Sequence, residues 1–219
     1  MKILLNKSHF PVRVLGPGTR IGLWLQGCTI QCFGCISRDT WSADPATAIE
    51  VERVLEWIRS LPAEEIDGVT ISGGEPLDQP DALLELLTGL WRWRAEHVRD
   101  VDILCYSGRG WDEVQRDFGA QLAFLDAIIP EPFVQGAPTT GALRGSANQR
   151  VIPLTDLGRE RYSADAIKGE LATQRGQLQV AIDGEKVRFI GIPAQGDMSR
   201  LRARARERGV RLDGRSWLI

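Results

Sequence analysis

The 219-residue chain lacks a surplus of positive charge. Its 27 Lys and Arg against 29 Asp and Glu leave a formal charge of −2, so the cationic footprint of a nucleic-acid-binding surface is missing and no nucleic-acid partner is expected. The locally basic stretch carrying Arg200, Arg202, Arg204, Arg206, Arg208 and Arg211 reads as a solvated helix face. No apolar run approaches the roughly eighteen residues of a membrane helix, and the N-terminus lacks the apolar core of a signal peptide. No membrane association and a cytoplasmic location are therefore expected. Histidine is nearly absent: His9 and His97 are the only two, each read as structural or exposed rather than ligating. Internal repeats, low-complexity tracts and long linkers are also missing.

A hydrophobic fraction of 43% and a charged fraction of 26% are ordinary for a globular chain. The length suits one core, or one core with a small addition, but not two full domains. MKILLN at the start and Arg20 to Gln26 read as strands, the second running straight into a cysteine-rich loop. Apolar residues at helical spacing predict a helix from Pro45 to Leu61. A strand at Gly68 to Ser72, a helix at Asp81 to Glu96, a strand at Val101 to Ser107 and a helix at Asp112 to Phe118 follow, with a further strand inside Ala123 to Pro130. This alternation predicts an α/β fold with a parallel sheet covered by helices.

Beyond Gly158 the pattern changes. A helix near Ala164 to Thr173 precedes QLQVAI and KVRFIGI, two strand-like runs joined at Asp183, Gly184 and Glu185 in a hairpin signal. A last helix is expected from Asp197 to Glu207. Residues 1–157 are accordingly expected to form the core and 158–219 a small C-terminal α/β appendage docked on it.

Of four cysteines, three fall within eight positions, in GCTIQCFGC at Cys28, Cys32 and Cys35. Three neighbouring thiols leave one unpaired in any local bridge, which favours shared metal ligation over a disulfide. Thiolates suit iron–sulfur clusters, and a cubane held by three of them keeps one iron open for a ligand. Structural zinc is the competing reading. It usually completes its tetrahedron from two separated pairs, and no second cysteine or histidine pair is present. Cys105, inside the apolar run VDILCYS, reads as a small buried hydrophobe rather than a fourth ligand.

The C-x3-C-x2-C spacing resembles the signature of the radical S-adenosylmethionine superfamily. Gly73-Gly74-Glu75-Pro76, following the strand GVTIS, resembles that superfamily's second motif. The resemblance implies a partial, open β/α barrel, a [4Fe-4S] cluster on Cys28, Cys32 and Cys35, and S-adenosylmethionine as cofactor. It also implies that Glu75 and the backbone of Gly73 and Gly74 bind the methionine amino group; on the residues alone, the segment is a strand-to-helix turn with an exposed glutamate.

Within the superfamily the chain is most similar to the small activating enzymes, in particular the anaerobic ribonucleotide reductase activases. Gly16 to Cys28, Ile71 to Leu77, Cys105 to Gly108 and Leu143 to Ile152 carry the likeness. By that resemblance Arg144, Ser146, Asn148 and Gln149 lie near the cofactor or the mouth of the site, where charge-assisted hydrogen bonds could serve carboxylate or ribose groups. Capping of loop backbone is their plain alternative. Tyr106 and Ser107, at a strand's C-terminal end, become adenosine contacts. Ile36-Ser37-Arg38 departs from the aromatic-plus-asparagine pattern of the activases, and the tail continues past the similar region.

The chemistry implied is reductive cleavage of S-adenosylmethionine to a 5′-deoxyadenosyl radical that takes hydrogen from a substrate. The partners implied are a protein or peptide substrate and an electron donor such as flavodoxin or ferredoxin. The first reading the resemblance implies is activation of a partner protein by removal of hydrogen from a backbone glycine. Radical modification of a small molecule or a peptide, with the C-terminal appendage closing the opening, and a non-catalytic iron–sulfur or zinc-binding module are the two others.

Overall fold

The computed structural model describes residues 1–212, with Val98, Thr140, Glu170, 173–175 and Glu185 excepted. In chain order its main elements are β1 (Lys2–Val12), β2 (Arg20–Leu25), β3 (Ala48–Glu50), α1 (Val51–Arg59), β4 (Gly68–Gly73), α2 (Pro80–Ala95), β5 (Asp102–Tyr106), α3 (Trp111–Asp117), α4 (Gly119–Leu122) and β6 (Ala127–Ile129). Then come β7 (Ile152–Pro153), α5 (Asp156–Arg161), α6 (Ala164–Lys168), β8 (Leu178–Asp183), β9 (Lys186–Gly191) and α7 (Asp197–Glu207).

Seven strands form one sheet in the order β3-β1-β2-β4-β5-β6-β7. The four central strands β2, β4, β5 and β6 run parallel. At the flanks β3, β1 and β7 pair antiparallel. Among the described residues no pairing joins β3 to β7, so the α/β sheet is open.

Strand alternation sorts side chains onto two faces. On one face Ile21, Leu23, Leu25, Val69, Ile71, Ile103 and Cys105 pack with α1 and α2 in a single core cluster. Cys105 is fully buried there, as its apolar setting predicts. The opposite face is polar at its lower edge. Arg20 and Asp102, each fully buried, meet in two hydrogen bonds of 2.9 and 2.8 Å. Arg20 Nε also donates to Thr70 Oγ1 at 2.7 Å, and Arg161 and the Tyr162 hydroxyl both donate to the Asp102 carboxylate. Burial opposes ionisation of Asp102, but the charge and hydrogen bonds of Arg20, the Tyr162 hydroxyl and the Arg161 charge together outweigh it and hold the carboxyl below its ordinary value. These groups tie together the N-terminal parts of β2, β4 and β5.

Two elements differ from their sequence reading. The helix expected from Pro45 begins only at Val51, because Ala48–Glu50 pair with Lys2–Leu4 as β3. Asp44 caps a short 3-10 turn at Pro45–Thr47 instead, accepting from Ala46 N at 2.9 Å. The first strand runs on to Val12, with register irregularities after Leu5 and His9 that break the period-two signal.

The hairpin expected around Asp183 and Gly184 is present as β8 and β9, separate from the large sheet; Glu185 lies outside the described residues. Ala181 and Ile190 pack with Val12 and Trp24, and Gln179 bonds both Arg13 N and Pro11 O, so the hairpin lies along β1. Of the helix expected from Ala164, the stretch to Lys168 is helical and Thr173 lies outside the described residues. Among the described residues no helix is long and apolar enough to cross a membrane.

Candidate functional site

Parallel strands deliver their C-terminal ends to one edge of a sheet, where the following loops converge. Leu25 pairs with Gly73 across β2 and β4, and Ile71 with Cys105 across β4 and β5. The cysteine loop, the turn at Gly73–Glu75 and the segment at Ser107–Arg109 therefore emerge side by side.

Cys28, Cys32 and Cys35 are free thiols of intermediate exposure. The loop is anchored at its base, where Gly27 N donates to Thr40 O at 2.7 Å and Cys28 N to Trp41 O at 3.0 Å. It turns back on itself at Cys32, whose carbonyl accepts from Cys35 N at 3.1 Å. Burial pushes the Cys28 and Cys35 thiols up. Among the described residues no three His, Cys, Asp or Glu side chains are gathered as a site for a single metal ion. The three thiols instead share the lining of one cavity of about 1330 Å³ with Ser72, Gly73, Gly74 and Glu75. Three loop thiols beside an open cavity, with Cys105 sequestered on the other face of the sheet, are a donor set that suits an iron–sulfur cluster and leaves a tetrahedral zinc site one ligand short.

The two glycines let strand and loop touch. Gly73 has φ +109, and a Cβ there would sit 2.4 Å from Leu25 N; at Gly74 it would sit 2.0 Å from the Gly27 carbonyl oxygen. In that space Gly74 N donates to Leu25 O and Glu75 N to Gly27 O, at 2.9 and 2.8 Å. The strand end is thereby stitched to the root of the cysteine loop.

Glu75 is only 1% exposed, so the exposed glutamate that a plain turn would carry is not found: its carboxylate is drawn inward by donors of the turn and of the segment after β5. Its Oε1 accepts from Leu77 N and from Ser107 Oγ, both at 2.9 Å, and its Oε2 accepts from Gly108 N at 2.6 Å. Burial raises its pKa from 4.5 to about 7, and these hydrogen bonds pull the other way. The folded chain thus keeps a proton that the unfolded chain gives up at lower pH. Stability of the metal-free protein is expected to fall as pH rises from 4.5 to about 7. Urea unfolding across that window should show a flatter pH dependence in Glu75→Gln; the same slope in both proteins would refute the assignment.

The remaining residues named by resemblance divide. Ser107 meets Glu75 directly, and Tyr106 lines the cavity while its hydroxyl is buried without a hydrogen-bond partner among the described residues. Arg144 and Gln149 line the cavity too, but their polar atoms also brace their own loop: Arg144 donates to Gln149 O, and Gln149 Oε1 accepts from Gly145 N. Ser146 is fully buried and accepts from Val134 N, and Asn148 donates to Pro132 O; neither lines the cavity.

Arg188, Phe189, Ile190 and Met198 of the C-terminal appendage also line this cavity; the sequence carries the appendage closing the opening as one alternative and points to none of these residues. Asp183 and Gly184 signal a hairpin, but no local spacing says where a hairpin docks.

The 4Fe-4S single cluster domain family model matches residues 14–152. Three relatives share the name anaerobic ribonucleoside-triphosphate reductase-activating protein. That of Enterobacteria phage T4 is 32% identical over 143 residues, covering 65% of this chain and 89% of the relative. The Haemophilus influenzae protein is 34% identical over 146 residues (65% and 93%), and the Escherichia coli K12 protein 30% over 149 (66% and 95%). The match embraces the cysteine loop, the glycine turn, the segment after β5 and the loop ending at β7, so the chain belongs to the 4Fe-4S single cluster domain family, together with these activating proteins.

Proposed function

We propose that the protein is a radical S-adenosylmethionine activating enzyme that removes hydrogen from a partner protein. The observation that carries this reading is the adjacency, on neighbouring parallel strands, of three free thiols and a glycine turn stitched to their loop. Cys28, Cys32 and Cys35 hold a [4Fe-4S] cluster, and Gly73, Gly74 and Glu75 form the floor on which the methionine end of the cofactor rests. When bound, cluster and cofactor supply a one-electron cleavage that releases methionine and a 5′-deoxyadenosyl radical.

The chain's own groups bind, orient and shield. Gly73 and Gly74 present backbone without side-chain bulk. Glu75 holds Ser107 and Gly108 against the end of β4, so the segment after β5 keeps its place beside the cofactor. Tyr106 and Arg144, which line the cavity wall, would contact the adenosine. Ser146 and Asn148 shape the loop that presents Arg144. The open sheet, with helices on one face and the cavity at its C-terminal edge, is in this reading a partial β/α barrel, and flavodoxin or ferredoxin supplies the electron.

The partner is a protein, a reading supported by the relatives' name of reductase-activating proteins, and in this proposal the hydrogen it gives up is that of an accessible backbone glycine. Residues 1–157 serve as the catalytic core and 158–219 as an appendage; its separate hairpin and the end of the family match at residue 152 support that division. Because Arg188, Phe189 and Met198 of the tail line the cavity, a peptide or small-molecule substrate is the second reading.

Anaerobically reconstituted, reduced protein mixed with S-adenosylmethionine and an anaerobic ribonucleoside-triphosphate reductase is expected to generate a glycyl radical, seen by electron paramagnetic resonance. Substrate-dependent 5′-deoxyadenosine formation with a metabolite pool and no partner protein would overturn the activase reading in favour of the second.

A further inference from the structure

We infer that Asp78 is a positioning residue that sets the first segment of the cysteine loop, a conclusion that rests on Cys28 serving as a cluster ligand. Asp78 closes the 3-10 turn Pro76–Asp78 that follows β4, the same turn that Glu75 caps through Leu77 N. The two carboxylates of this turn reach different neighbours. Glu75 takes Ser107 and Gly108, whereas Asp78 takes Thr29, the residue directly after Cys28.

The contact is two-pronged. Asp78 Oδ2 accepts from Thr29 N at 2.7 Å and Oδ1 from Thr29 Oγ1 at 2.9 Å. Among the described residues, Asp78 is the one side chain outside the loop that hydrogen-bonds to positions 29–34. Bonds to an ionised acceptor are the stronger kind, and two of them to one residue fix direction as well as distance.

Asp78 is itself held. Arg109 Nη2 donates to Asp78 Oδ1 at 2.6 Å, with the two side chains 22% and 13% exposed. The other terminal nitrogen of Arg109 bonds Glu113, and its guanidinium lies 5.3 Å from the centroid of the Phe118 ring. Arg109 N donates to Ser107 Oγ, which closes the circuit back to Glu75. Thr29, Asp78 and Arg109 thus link the loop after β2, the turn after β4 and the segment after β5. A flexible loop ordered in this way loses less entropy when its thiols take up a cluster.

The test uses the full-length metal-free protein, limiting iodoacetamide and mass spectrometry of each cysteine. Asp78→Ala, which removes both bonds to Thr29 and a negative charge near the thiol, is expected to speed alkylation of Cys28 at least about tenfold, the scale of one hydrogen bond to a charged group, and Thr29→Val, which keeps the charge, isolates the positioning part. Cys35 should change less and Cys105, fully buried, not at all. Thr29→Val, which removes only the hydroxyl link, should move Cys28 the same way by a smaller factor. An unchanged Cys28 rate in Asp78→Ala overturns the inference. Where that variant also exposes Cys105, Thr29→Val decides: acceleration confined to Cys28 supports the inference, and no change refutes it. Iron and sulfide content of the reconstituted wild-type protein tests the cluster reading separately, so the two can fail independently.

Discussion

Alanine at Cys28, Cys32 or Cys35 is expected to leave the protein, purified and reconstituted without oxygen, with almost no cluster iron and no broad visible absorption. The chain has four cysteines, and three of them are the free thiols of one loop beside the cavity. The fourth, Cys105, is fully buried on the helix-covered face of β5, with its thiol pushed far up by desolvation, so it cannot replace a lost ligand. A cubane held by two thiolates has lost a third of its protein anchorage and opens a second iron to solvent. Cys105→Ala is the matching control and should retain iron. Iron, sulfide and zinc are measured per chain, with circular dichroism to show that each variant folds. Stoichiometric zinc in the wild-type protein, or full iron in a loop variant, would refute the assignment.

Asp102→Ala should produce the largest loss of stability, about 3–5 kcal/mol, the scale for removing one partner of a buried ion pair. Arg20 would remain fully buried with its charge uncompensated, while Arg161 and Tyr162 would lose their shared acceptor. Total domain stability is typically only about 5–15 kcal/mol, so the variant should unfold at much lower urea. Disrupting the exposed pair Arg53 and Glu56, 72% and 50% exposed, should cost about 0–1 kcal/mol at most.

The pH sign for Asp102 is opposite to that of Glu75. Its folded pKa lies below the ordinary value, so its contribution is present above the unfolded pKa and is lost as pH falls through the folded one. Asp102→Asn should therefore show a shallower acid limb than the wild type. Equal stability of wild type and Asp102→Ala would show that the buried pair does not hold β2, β4 and β5 together.

Much of the site was legible locally. Cys28, Cys32 and Cys35 stand out by thiol chemistry and spacing, and the structure places all three along one cavity; Gly73 and Gly74 announce a close backbone approach by lacking Cβ atoms. The structure adds that this approach is first to the protein itself, through Leu25 and Gly27. The boundaries of α2, α3 and α7 followed from periodicity with the turn signals around them. By contrast β3 was hidden inside a helical pattern, because three residues were drawn out of it by pairing with β1, some forty-five positions earlier in the chain.

The same division runs through the whole molecule. The cluster of three thiols, the glycine turn, the alternation of strand and helix and the hairpin at Asp183 and Gly184 are determined by the sequence, because spacing and residue chemistry act over a few positions. The tertiary structure alone decides that Glu75 is held by Ser107 and Gly108, that Asp78 reaches Thr29, that Arg20 finds Asp102, and that the tail lines the cavity. Each of these is a contact between residues 32 to more than 100 positions apart, made where parallel strands set their ends side by side or where a hairpin lies along β1. No local periodicity encodes such a contact; it exists only once the burial of Leu23, Ile71 and Ile103 has brought the strands together.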